Sequence, residues 1–395
     1  MKIVHVAAAL SRRSAGVFQA ITNFAREEQS AGHDVRLIGL GDEFTAQDMP
    51  SDLGVPFQAC NWLHPREICY SSNMASILKA EATHADIIHA HGLWLCPGIM
   101  ARHRAQANRI PRVVSVHGML EPWACKHRSK WKKKIAWHLF EHQNLREAAC
   151  LHATSEKEAN SIRALGLMNP VAIIPLGINP LPYQAPKQTP LVQGLLAQTH
   201  GKRILLFLSR FHVGKGVDDL LDAWSQLAAD LPDWHLVLAG PDQEGYRSRM
   251  EEKSRRIGLN NRVTFMGPVY DADKYALFGA AELFVLPTHS ENFGLVVVEA
   301  LAAGKPVITT QGAPWADLVS HRCGWWVKPG ADFLATSMTT AMAQSPAALS
   351  RMGSAGHRLI CSQYVWPTLA NRMLEVYAWL LGNHELPDFV MPRLG

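Results

Sequence analysis

The chain has 395 residues, of which 48% are hydrophobic and 18% are charged, and its formal net charge is +5. This length and composition allow two or three domains with buried cores and argue against an intrinsically disordered protein. The mild positive charge suits an anionic ligand or an anionic membrane surface and is too small to indicate a nucleic-acid-binding protein. The seven scattered cysteines include no C-x-x-C pair, which argues against a disulfide framework or a structural zinc site and favours the reducing cytoplasm.

Short apolar runs alternate with longer helical stretches along the chain, a pattern typical of repeated βα units and parallel sheets. Residues 1–10 resemble a signal peptide, but one lysine and a short run containing His5 fit a buried first strand better. No run of eighteen apolar residues occurs in the sequence, so we expect no membrane-spanning helix. The first half contains six predicted strands: Lys2–Ala8, Asp34–Leu40, Asp86–Ala90, Arg112–Val116, Cys150–Ala153 and Val171–Ile174.

A stretch rich in proline and glutamine, Asn179 to Thr199, follows these strands and predicts a linker. The strand pattern then restarts, and helical stretches such as Val217 to Ala229 fill the gaps. We therefore predict a Rossmann-like N-terminal domain over residues 1–180, a linker over 181–200 and a Rossmann-like C-terminal domain over 201–365. The strands predicted in the second half are Arg203–Leu208, His235–Ala239, Arg262–Met266, Leu283–Leu286 and Pro306–Thr310.

The loop after the first strand carries Arg12, Arg13 and Gly16. The two arginines are candidates for contact with an anionic acceptor substrate. Gly16 can bring a backbone N–H group close to a phosphate or an acceptor, since it has no side chain. The alternative interpretation of this loop is an ordinary polar βα turn.

Histidines follow two later strands of the first half. His89, His91 and Trp94 lie at the end of one strand. We predict that His91 and Trp94 line the site of an acceptor substrate, and the alternative is ordinary packing at the strand end. The H-x-H spacing invites a metal, but no third ligand is evident nearby in the sequence, so we predict no metal site. His117 ends the next strand and precedes Gly118. We predict that it is a residue of the functional site, and the alternative is a histidine with a purely structural role.

The most basic stretch, residues 126–137, interleaves cationic side chains with Trp131, Ile135 and Trp137. A basic helix that carries tryptophan can lie on an anionic membrane surface. The alternative is a solvated helix face, while nucleic-acid binding lacks an accompanying fold motif. The cations of this stretch are Lys126, Arg128, Lys130, Lys132, Lys133 and Lys134.

Two cations follow the first strand of the second half. Arg210 is placed at the strand end and Lys215 at the helix start, so both can reach one diphosphate, and Gly214 and Gly216 allow close backbone approach. The alternative is a pair of solvated cations. Further along, the run Asp271–Asp273 has the D-x-D spacing of some metal sites but precedes a helical pattern, which predicts a helix N-cap with a favourable dipole charge.

Two carboxylates lie at the edge of the second predicted sheet. Glu291 follows the strand Leu283 to Pro287, and Glu299 lies inside the helical pattern that begins near Gly294. Ligands of open α/β sheets bind at this carboxyl edge. Carboxylates accept hydrogen bonds from sugar hydroxyls, and a helix N-terminus between them offers N–H groups to a phosphate. The alternative is one solvated loop glutamate and one glutamate on a helix surface.

The run from His289 to Ala300, with Asn-Phe-Gly at its centre and Ala-Leu-Ala-Ala-Gly-Lys-Pro-Val-Ile after it, resembles the E-x7-E motif of retaining GT-B glycosyltransferases of the family-4 type. The pair Arg210 and Lys215 resembles the R-x4-K element of that family. The loop containing Gly16 resembles its glycine-rich loop, except that Ala15-Gly16 stands in place of the usual Gly-Gly. The resemblance covers essentially the whole chain and is most specific over residues 203–330.

This resemblance implies an α/β GT-B fold, in which two Rossmann-like domains face each other across a cleft and the segment 366–395 crosses back to the first domain. It also implies roles for individual residues. Glu291 would hold the donor sugar and Glu299 the ribose, Arg210 and Lys215 would stabilise the leaving diphosphate, and His117 would orient the sugar. Further contacts to the donor are expected from Gly16, Val269, Asn292, Phe293, Gly294 and Leu295.

The implied activity is a retaining, metal-independent transfer of a hexose, without a cofactor, from a nucleoside-diphosphate sugar to a hydroxyl of a growing cell-surface glycan. The acceptor would belong to lipopolysaccharide, exopolysaccharide or a lipid-linked glycan, and the enzyme would work in the cytoplasm at the inner face of the plasma membrane. Two alternatives stay open. A nucleotide-sugar 2-epimerase would consume the donor without an acceptor, and a non-enzymatic GT-B partner subunit would not bind a donor.

Overall fold

A computed structural model of the protein describes residues 1–14, 16–49, 53–63, 69–122, 130–184 and 186–394. The chain divides into two compact units. The N-terminal unit contains Met1–Gly177 and Trp366–Gly395, and the C-terminal unit contains Ile178–Val365. The closing segment therefore groups with the N-terminal unit, which is the arrangement that the family resemblance implies.

Each unit is built around a predominantly parallel β-sheet. The N-terminal sheet has the strand order β14-β7-β6-β5-β4-β1-β2-β3, in which β14 is antiparallel to its neighbour and the other described pairs are parallel, and the C-terminal sheet has the order β10-β9-β8-β11-β12-β13. The strands are β1 Lys2–Ala7, β2 Asp34–Leu40, β3 Phe57–Cys60, β4 Ile87–His91, β5 Arg112–Ser115, β6 Cys150–Ala153, β7 Val171–Ile173, β8 Arg203–Leu208, β9 Trp234–Ala239, β10 Val263–Phe265, β11 Ala281–Leu286, β12 Val307–Thr310, β13 Gly324–Val327 and β14 Val390–Met391.

Helices connect the strands and cover the sheets. In the N-terminal unit they are Gly16–Ser30, Thr45–Asp48, Ser72–Ala82, Cys96–Asn108, Lys130–Ala136, His142–Arg146, Glu156–Ala164 and Trp366–Leu380, with a π-helical turn at Trp137–Glu141. In the C-terminal unit they are Leu181–Gln184, Pro190–Gln198, Val217–Leu227, Tyr246–Arg256, Asp271–Ala280, Leu295–Ala302, Asp317–Ser320, Ala331–Met342 and Pro346–Gln363. No helix in the described part of the chain is long and apolar enough to cross a membrane.

The central strands are the ones that the sequence predicts well, because they are buried on both faces. In β1 the successive residues Ile3 and Val4 are both fully buried, which requires cover on each side of the sheet. The edge strands β3 and β13 were missed by the sequence analysis. Their side chains are mostly exposed or half-buried, so they lack the continuous apolar run that marks a central strand.

The predicted linker over residues 181–200 is wrong, because the structure folds this segment into the C-terminal unit. The helix Pro190–Gln198 begins with a proline at its first position, and the Thr189 hydroxyl accepts the N–H of Val192 as an N-cap. Val192 and Leu195 are buried, as is Tyr183 in the preceding short helix. One of the prolines that suggested a linker therefore marks the start of a helix instead.

Candidate active site

The loop between β8 and the helix Val217–Leu227 is tightly constrained. Residues Val213–Lys215 form a single 3-10 turn, and His212 Nδ1 accepts the N–H of Gly214 at 3.1 Å. Gly216 then adopts a left-handed conformation with φ +68°, and a Cβ atom there would lie 2.0 Å from the carbonyl oxygen of Pro287. Glycine is thus required at this position for two reasons, backbone conformation and close approach.

Hydrogen bonds join this loop to the one that follows β11. The Gly214 carbonyl accepts the Thr288 hydroxyl at 2.9 Å and the His289 N–H at 3.0 Å. Gly312, after β12, lies against the same segment, because a Cβ atom on it would lie 2.2 Å from the Thr288 carbonyl oxygen. The two loops leave adjacent strands of the sheet, so they form one continuous edge.

Lys215 and Glu291 meet at this edge. Lys215 Nζ lies 2.5 Å from Glu291 Oε2, and the two side chains are 12% and 18% exposed. The Glu291 backbone N–H donates to the Gly312 carbonyl at 2.9 Å, which fixes the position of the carboxylate. A cation and a carboxylate are therefore held side by side in a half-buried position.

Arg210 is less constrained than Lys215. Its side chain is exposed, and its contact within the described part of the chain is a long hydrogen bond of 3.4 Å to Gln243 Oε1. The expected partnership of Arg210 with Lys215 at one diphosphate stays a prediction.

Glu299 lies one helix further along the edge and is held by two residues that the sequence analysis missed. Lys274 Nζ is 2.7 Å from Glu299 Oε1, and the Tyr183 side chain hydrogen-bonds the same carboxylate. Burial lowers the pKa of Lys274, but the Glu299 carboxylate more than offsets this, so that the pKa is raised. Burial and Glu299 together raise the pKa of Tyr183. Tyr183 lies in the segment that was predicted to be a linker, so its contact with Glu299 was not predicted.

The turn between the two carboxylates is braced from behind. Trp315 Nε1 donates to the Phe293 carbonyl at 2.6 Å, and the rings of Phe293 and Trp315 pack with centroids 5.5 Å apart. Gly294, with φ +88°, then starts the helix Leu295–Ala302. The Asn292 N–H donates to Glu291 Oε1 at 3.3 Å. The expected donor contacts of this turn are therefore brought together around one helix N-terminus.

Two further predictions for the C-terminal unit have a structural outcome. The Val269 side chain is buried, which leaves its backbone groups for the expected contact with a base. The N-cap interpretation of the D-x-D run is wrong, because Tyr270 occupies the cap position and Asp271 and Asp273 lie in the first helical turn. Their charges still face the positive end of the helix dipole.

In the N-terminal unit, the two arginines of the loop after β1 differ in their contacts. Arg12 is bound to Asp48, with Nε and the backbone N–H each 2.6 Å from a carboxylate oxygen, and this pairing lowers the pKa of Asp48. Arg13 is exposed and lies 3.5 Å from Glu43. Gly16 is the first residue of its helix, and Ala15 lies outside the described residues.

Arg13 lines a recess of about 810 Å³ in this unit. Its other walls are Gly41, Asp42, Glu43, Asn61, Trp62 and Cys69. The Trp62 indole N–H donates to the Gly41 carbonyl, which holds the aromatic ring in place at the edge of the recess. A fixed tryptophan together with polar side chains is a combination suited to a sugar or another polyhydroxylated molecule.

The ends of β4 and β5 carry backbone strain. Trp94 and His117 both adopt left-handed conformations, with φ +72° and +49°, which cost a non-glycine residue about 1–2 kcal/mol each. The Trp94 N–H donates to Glu141 at 2.7 Å. His117 is half-buried, and burial together with His152 lowers its pKa to about 3. His117 is therefore neutral at physiological pH.

The assignment of His91 to an acceptor surface is wrong. His91 is buried, and both of its ring nitrogens are used, Nε2 at 2.9 Å from His5 Nδ1 and Nδ1 at 3.3 Å from His117 Nε2. The argument that the H-x-H pair lacks a third neighbour is also wrong, because β1 brings His5 beside His89 and His91. This cluster could not be predicted from local sequence, because it forms only when β1 pairs with β4.

The basic stretch is described only in part. Residues 123–129, which include Lys126 and Arg128, lie outside the described residues, as does the Lys130 side chain. The helix that follows exposes Trp131, Ile135 and Leu139, with Trp131 66% and Leu139 73% exposed. Their spacing of four residues places them along one side of the helix, beside the lysines at 132–134.

We expect Gly216→Ala to disrupt the Lys215 loop more than the left-handed backbone conformation alone explains. Gly245 provides a matched control, because it also starts a helix, at φ +70°, but no atom lies within 4 Å of the place where its Cβ would stand. Gly245→Ala should lower the free energy of unfolding by about 1–2 kcal/mol. Gly216→Ala should lower it by about 2–5 kcal/mol, since the Pro287 carbonyl must also move. Equal losses in chemical denaturation would contradict the close-approach argument.

Comparison with known proteins identifies the family of this chain. Residues 196–358 match the family model "Glycosyl transferases group 1", and residues 15–177 match "Glycosyl transferase 4-like domain". A D-inositol 3-phosphate glycosyltransferase of Mycolicibacterium gilvum is 29% identical over 338 residues, which cover 81% of this chain and 72% of the relative. The enzyme of the same name from Mycobacterium bovis is 30% identical over 287 residues, 66% of this chain and 57% of the relative.

Solved structures show the same fold. Anabaena Alr3699/HepE in complex with UDP and glucose superimposes with a TM-score of 0.75 at 20% identity, covering 96% of this chain and 100% of that one. WaaG, a glycosyltransferase involved in lipopolysaccharide biosynthesis, gives a TM-score of 0.69 at 19% identity, with 95% and 99% coverage. These structural matches confirm the GT-B fold, and the family models and the relatives named above confirm the expected enzyme class. The chain belongs to the GT-B glycosyltransferases of the family-4 type.

Proposed function

We propose that this glycosyltransferase takes its hexose from a nucleoside-diphosphate sugar and retains the configuration of the anomeric carbon. The observation that supports this most strongly is the contact of 2.5 Å between Lys215 and Glu291 at the carboxyl edge of the C-terminal sheet. A sugar diphosphate needs a cation for its phosphates and hydrogen-bond acceptors for its hydroxyls, and this pair offers both within one contact distance. The complex of the related HepE structure with UDP and glucose is consistent with such a donor.

Lys215 would stabilise the charge that grows on the diphosphate as the sugar leaves. Electrostatic stabilisation of this kind is often the largest contribution to catalysis, and loss of one donor group costs on the order of 10²–10³ in rate. Because Lys215 supplies fixed positive charge, we propose that the reaction needs no metal ion and no cofactor. Arg210, with its exposed side chain, would add a second cation once the donor is bound.

The two carboxylates would hold the two sugars of the donor. Glu291 would accept hydrogen bonds from hexose hydroxyls, and Glu299, positioned by Lys274 and Tyr183, would accept them from the ribose. We propose displacement from the same face of the sugar, with the departing phosphate assisting removal of the acceptor proton. His117 would contact the sugar through ring Nδ1, which has no hydrogen-bond partner among the described residues.

For the acceptor we propose a hydroxyl of a growing cell-surface glycan, either polysaccharide or lipid-linked, bound at the recess lined by Arg13, Asn61 and Trp62. The related WaaG structure belongs to lipopolysaccharide biosynthesis, which is consistent with this choice. A second candidate is a small phosphorylated polyol. The Mycolicibacterium gilvum relative is named for inositol 3-phosphate, and the exposed Arg13 suits an anionic group.

We further propose that the enzyme works in the cytoplasm and docks on the inner face of the plasma membrane. The exposed apolar row of Trp131, Ile135 and Leu139 would enter the lipid interface, and the neighbouring lysines would meet anionic headgroups. Each such cation contributes about 1 kcal/mol near an anionic surface. The apolar row supports this more directly than the charges do, since solvated helix faces rarely carry three large apolar residues in line.

The donor should be identifiable by thermal shift against UDP, GDP, ADP and dTDP sugars in buffer containing EDTA. Ligands that bind only the folded protein raise its unfolding temperature, so we expect one nucleotide class to do so. Glu299→Ala should abolish the shift, measured against the unliganded midpoint of the same variant. Glu282→Ala is the control, because Glu282 is also ion-paired, to Arg203 at 2.7 Å in the same unit, and should keep the shift.

Stabilisation that requires added Mn²⁺ would contradict metal independence, and a shift that survives in Glu299→Ala would contradict its ribose contact. Incubation of the identified donor without acceptor distinguishes the 2-epimerase alternative. An epimerase would consume the donor under these conditions, whereas a transferase should leave most of it intact.

Lys215→Ala should reduce the rate of glycosyl transfer on the order of 10²–10³ without unfolding the protein. The matched control is Lys253→Ala, because Lys253 is similarly protected, 13% exposed against 12%, and pairs with Asp218 at 2.7 Å in the same unit. We expect the control to stay close to the wild-type rate. Near-normal turnover of Lys215→Ala would remove the diphosphate role.

The membrane proposal predicts that Trp131→Ser combined with Leu139→Ser weakens binding to vesicles of phosphatidylglycerol and phosphatidylcholine at least about tenfold, since each large side chain contributes up to about 1.5–3 kcal/mol when fully buried. Co-sedimentation with the vesicles measures this directly. Leu181→Ser combined with Phe333→Ser is the control, because these residues are also exposed, 68% and 51%, but lie in the C-terminal unit. Equal binding of the two double variants would contradict the proposal.

A further inference from the structure

The N-terminal sheet contains polar side chains where strands buried on both faces normally carry apolar ones. These side chains lie in adjacent strands, β1, β4, β5 and β6, and the register aligns them, with His5 opposite His89 and Ser115 opposite His152. We call this set, with its two helical partners, the buried polar network. Its members are His5, His89, His91, Ser115 and His152 from the strands and Glu28 and Tyr377 from helices, and each is less than 5% exposed.

One branch of the network leads from Glu28 to His117. His5 Nε2 lies 2.7 Å from Glu28 Oε2, His5 Nδ1 lies 2.9 Å from His91 Nε2, and His91 Nδ1 lies 3.3 Å from His117 Nε2. A neutral imidazole donates from one nitrogen and accepts at the other. If Glu28 Oε2 accepts the His5 proton, each following ring is oriented in turn, and His117 carries its proton on Nε2.

The second branch has a fixed direction because it ends on a backbone carbonyl. His152 Nε2 lies 2.7 Å from the Ile174 carbonyl oxygen, which can only accept, so His152 donates there and accepts at Nδ1 from the Ser115 hydroxyl at 2.6 Å. Ser115 in turn accepts from His89 Nε2 at 2.7 Å. His89 Nδ1 then accepts from the Tyr377 hydroxyl at 2.6 Å.

The two branches meet at Glu28. The Tyr377 hydroxyl also lies 3.2 Å from Glu28 Oε1, which accepts from it at this longer distance. Burial lowers the pKa of His89 well below its ordinary value and that of His152 to about 4, so neither ring supplies a second proton at neutral pH. Glu28 Oε2 is left as the acceptor for His5.

We propose that Glu28 and His5 are positioning residues that act through His91 to hold His117 in one tautomer, with its Nδ1 lone pair presented to a hydroxyl of the sugar. This inference rests on the proposed contact of His117 with the donor sugar. His117 Nδ1 has no hydrogen-bond partner among the residues that the structure describes, which leaves it available. The left-handed backbone conformation of His117 sets the position of its side chain. The hydrogen bonds of the network set which ring nitrogen carries the proton.

The same histidines could instead hold a metal ion, since the ring nitrogens of His5, His89 and His91 lie within 4.8 Å of one another. The hydrogen bonds argue against this use. A metal needs a lone pair from each ligand, whereas both nitrogens of each of these rings are already engaged with partners at 2.6–3.3 Å. Elemental analysis of the purified protein decides between the two, and one tightly bound zinc or other transition metal per chain would overturn the proposal.

The direct test is the tautomer of His117 in protein labelled with ¹⁵N histidine and free of substrates. We expect the wild-type spectrum to show His117 protonated on Nε2. His5→Phe keeps a ring in the strand but removes both nitrogens, and it should release His117 into a mixture of tautomers. His235→Phe is the control for loss of a buried strand histidine, here one bonded to Thr264 at 2.9 Å in the C-terminal unit, and should leave the His117 signal unchanged. An unchanged signal in His5→Phe would overturn the proposal.

Glu28 allows a second test that a purely structural role would not pass. A glutamine keeps an acceptor oxygen for His5 Nε2, so Glu28→Gln should preserve both the His117 tautomer and the rate of transfer. Glu28→Leu has no such groups and should release the tautomer and lower kcat/KM for the donor about tenfold. If Glu28→Gln behaved like Glu28→Leu, the proposed role of Glu28 as the acceptor that orients His5 would be wrong.

The two readouts separate this inference from the proposed function. If His117→Ala left transfer unaffected while the tautomer followed the variants as expected, the network would stand and the sugar contact of His117 would fail. If His117→Ala reduced transfer but the tautomer ignored His5 and Glu28, the sugar contact would stand and the network would fail.

Discussion

The close approach of two loops at the edge of the C-terminal sheet is the constraint on which the candidate site depends. Gly216 packs against the Pro287 carbonyl, and Gly312 packs against the Thr288 carbonyl, at distances that exclude any side chain. Because these loops leave the adjacent strands β8 and β11, their contact follows from the order of the strands. The contact between Lys215 and Glu291 is a consequence, since neither residue could reach its partner if the loops stood further apart.

The N-terminal unit solves a different problem, that of placing polar groups inside a sheet. Burying a polar group without a hydrogen bond costs about 1–3 kcal/mol in proteins, and the sheet carries five such side chains in adjacent strands. They are tolerated because each one is hydrogen-bonded to other members, and the network ends on the Ile174 carbonyl and on His117. A network of this kind is stable only when it is complete, so a change at Glu28 is felt at His117, three hydrogen bonds away.

The sequence predicted the parts of the protein whose signal is local. The strands buried on both faces are continuous apolar runs, and the E-x7-E and R-x4-K elements lie within short stretches at strand ends. What it missed depends on contacts between distant segments. Lys274 and Tyr183 meet Glu299 only through packing of separate helices, and His5, Glu28 and Tyr377 are brought together by strand order and by the closing helix. The prolines near residue 190 misled for another reason, since proline starts helices as well as interrupting them.

Both carboxylates of the candidate site are already paired with a lysine, Glu291 with Lys215 and Glu299 with Lys274. These pairs keep half-buried charges compensated, which matters because an unpaired buried charge is costly. Under the proposed function, a donor would replace the Lys215–Glu291 contact with two of its own, a phosphate oxygen for Lys215 and a sugar hydroxyl for Glu291, while Lys274 stays beside Glu299. Only a molecule that carries both kinds of group at the right separation would make this exchange without loss. The Lys215–Glu291 pair would then select against free phosphate and against free sugar, each of which satisfies only one of its two members.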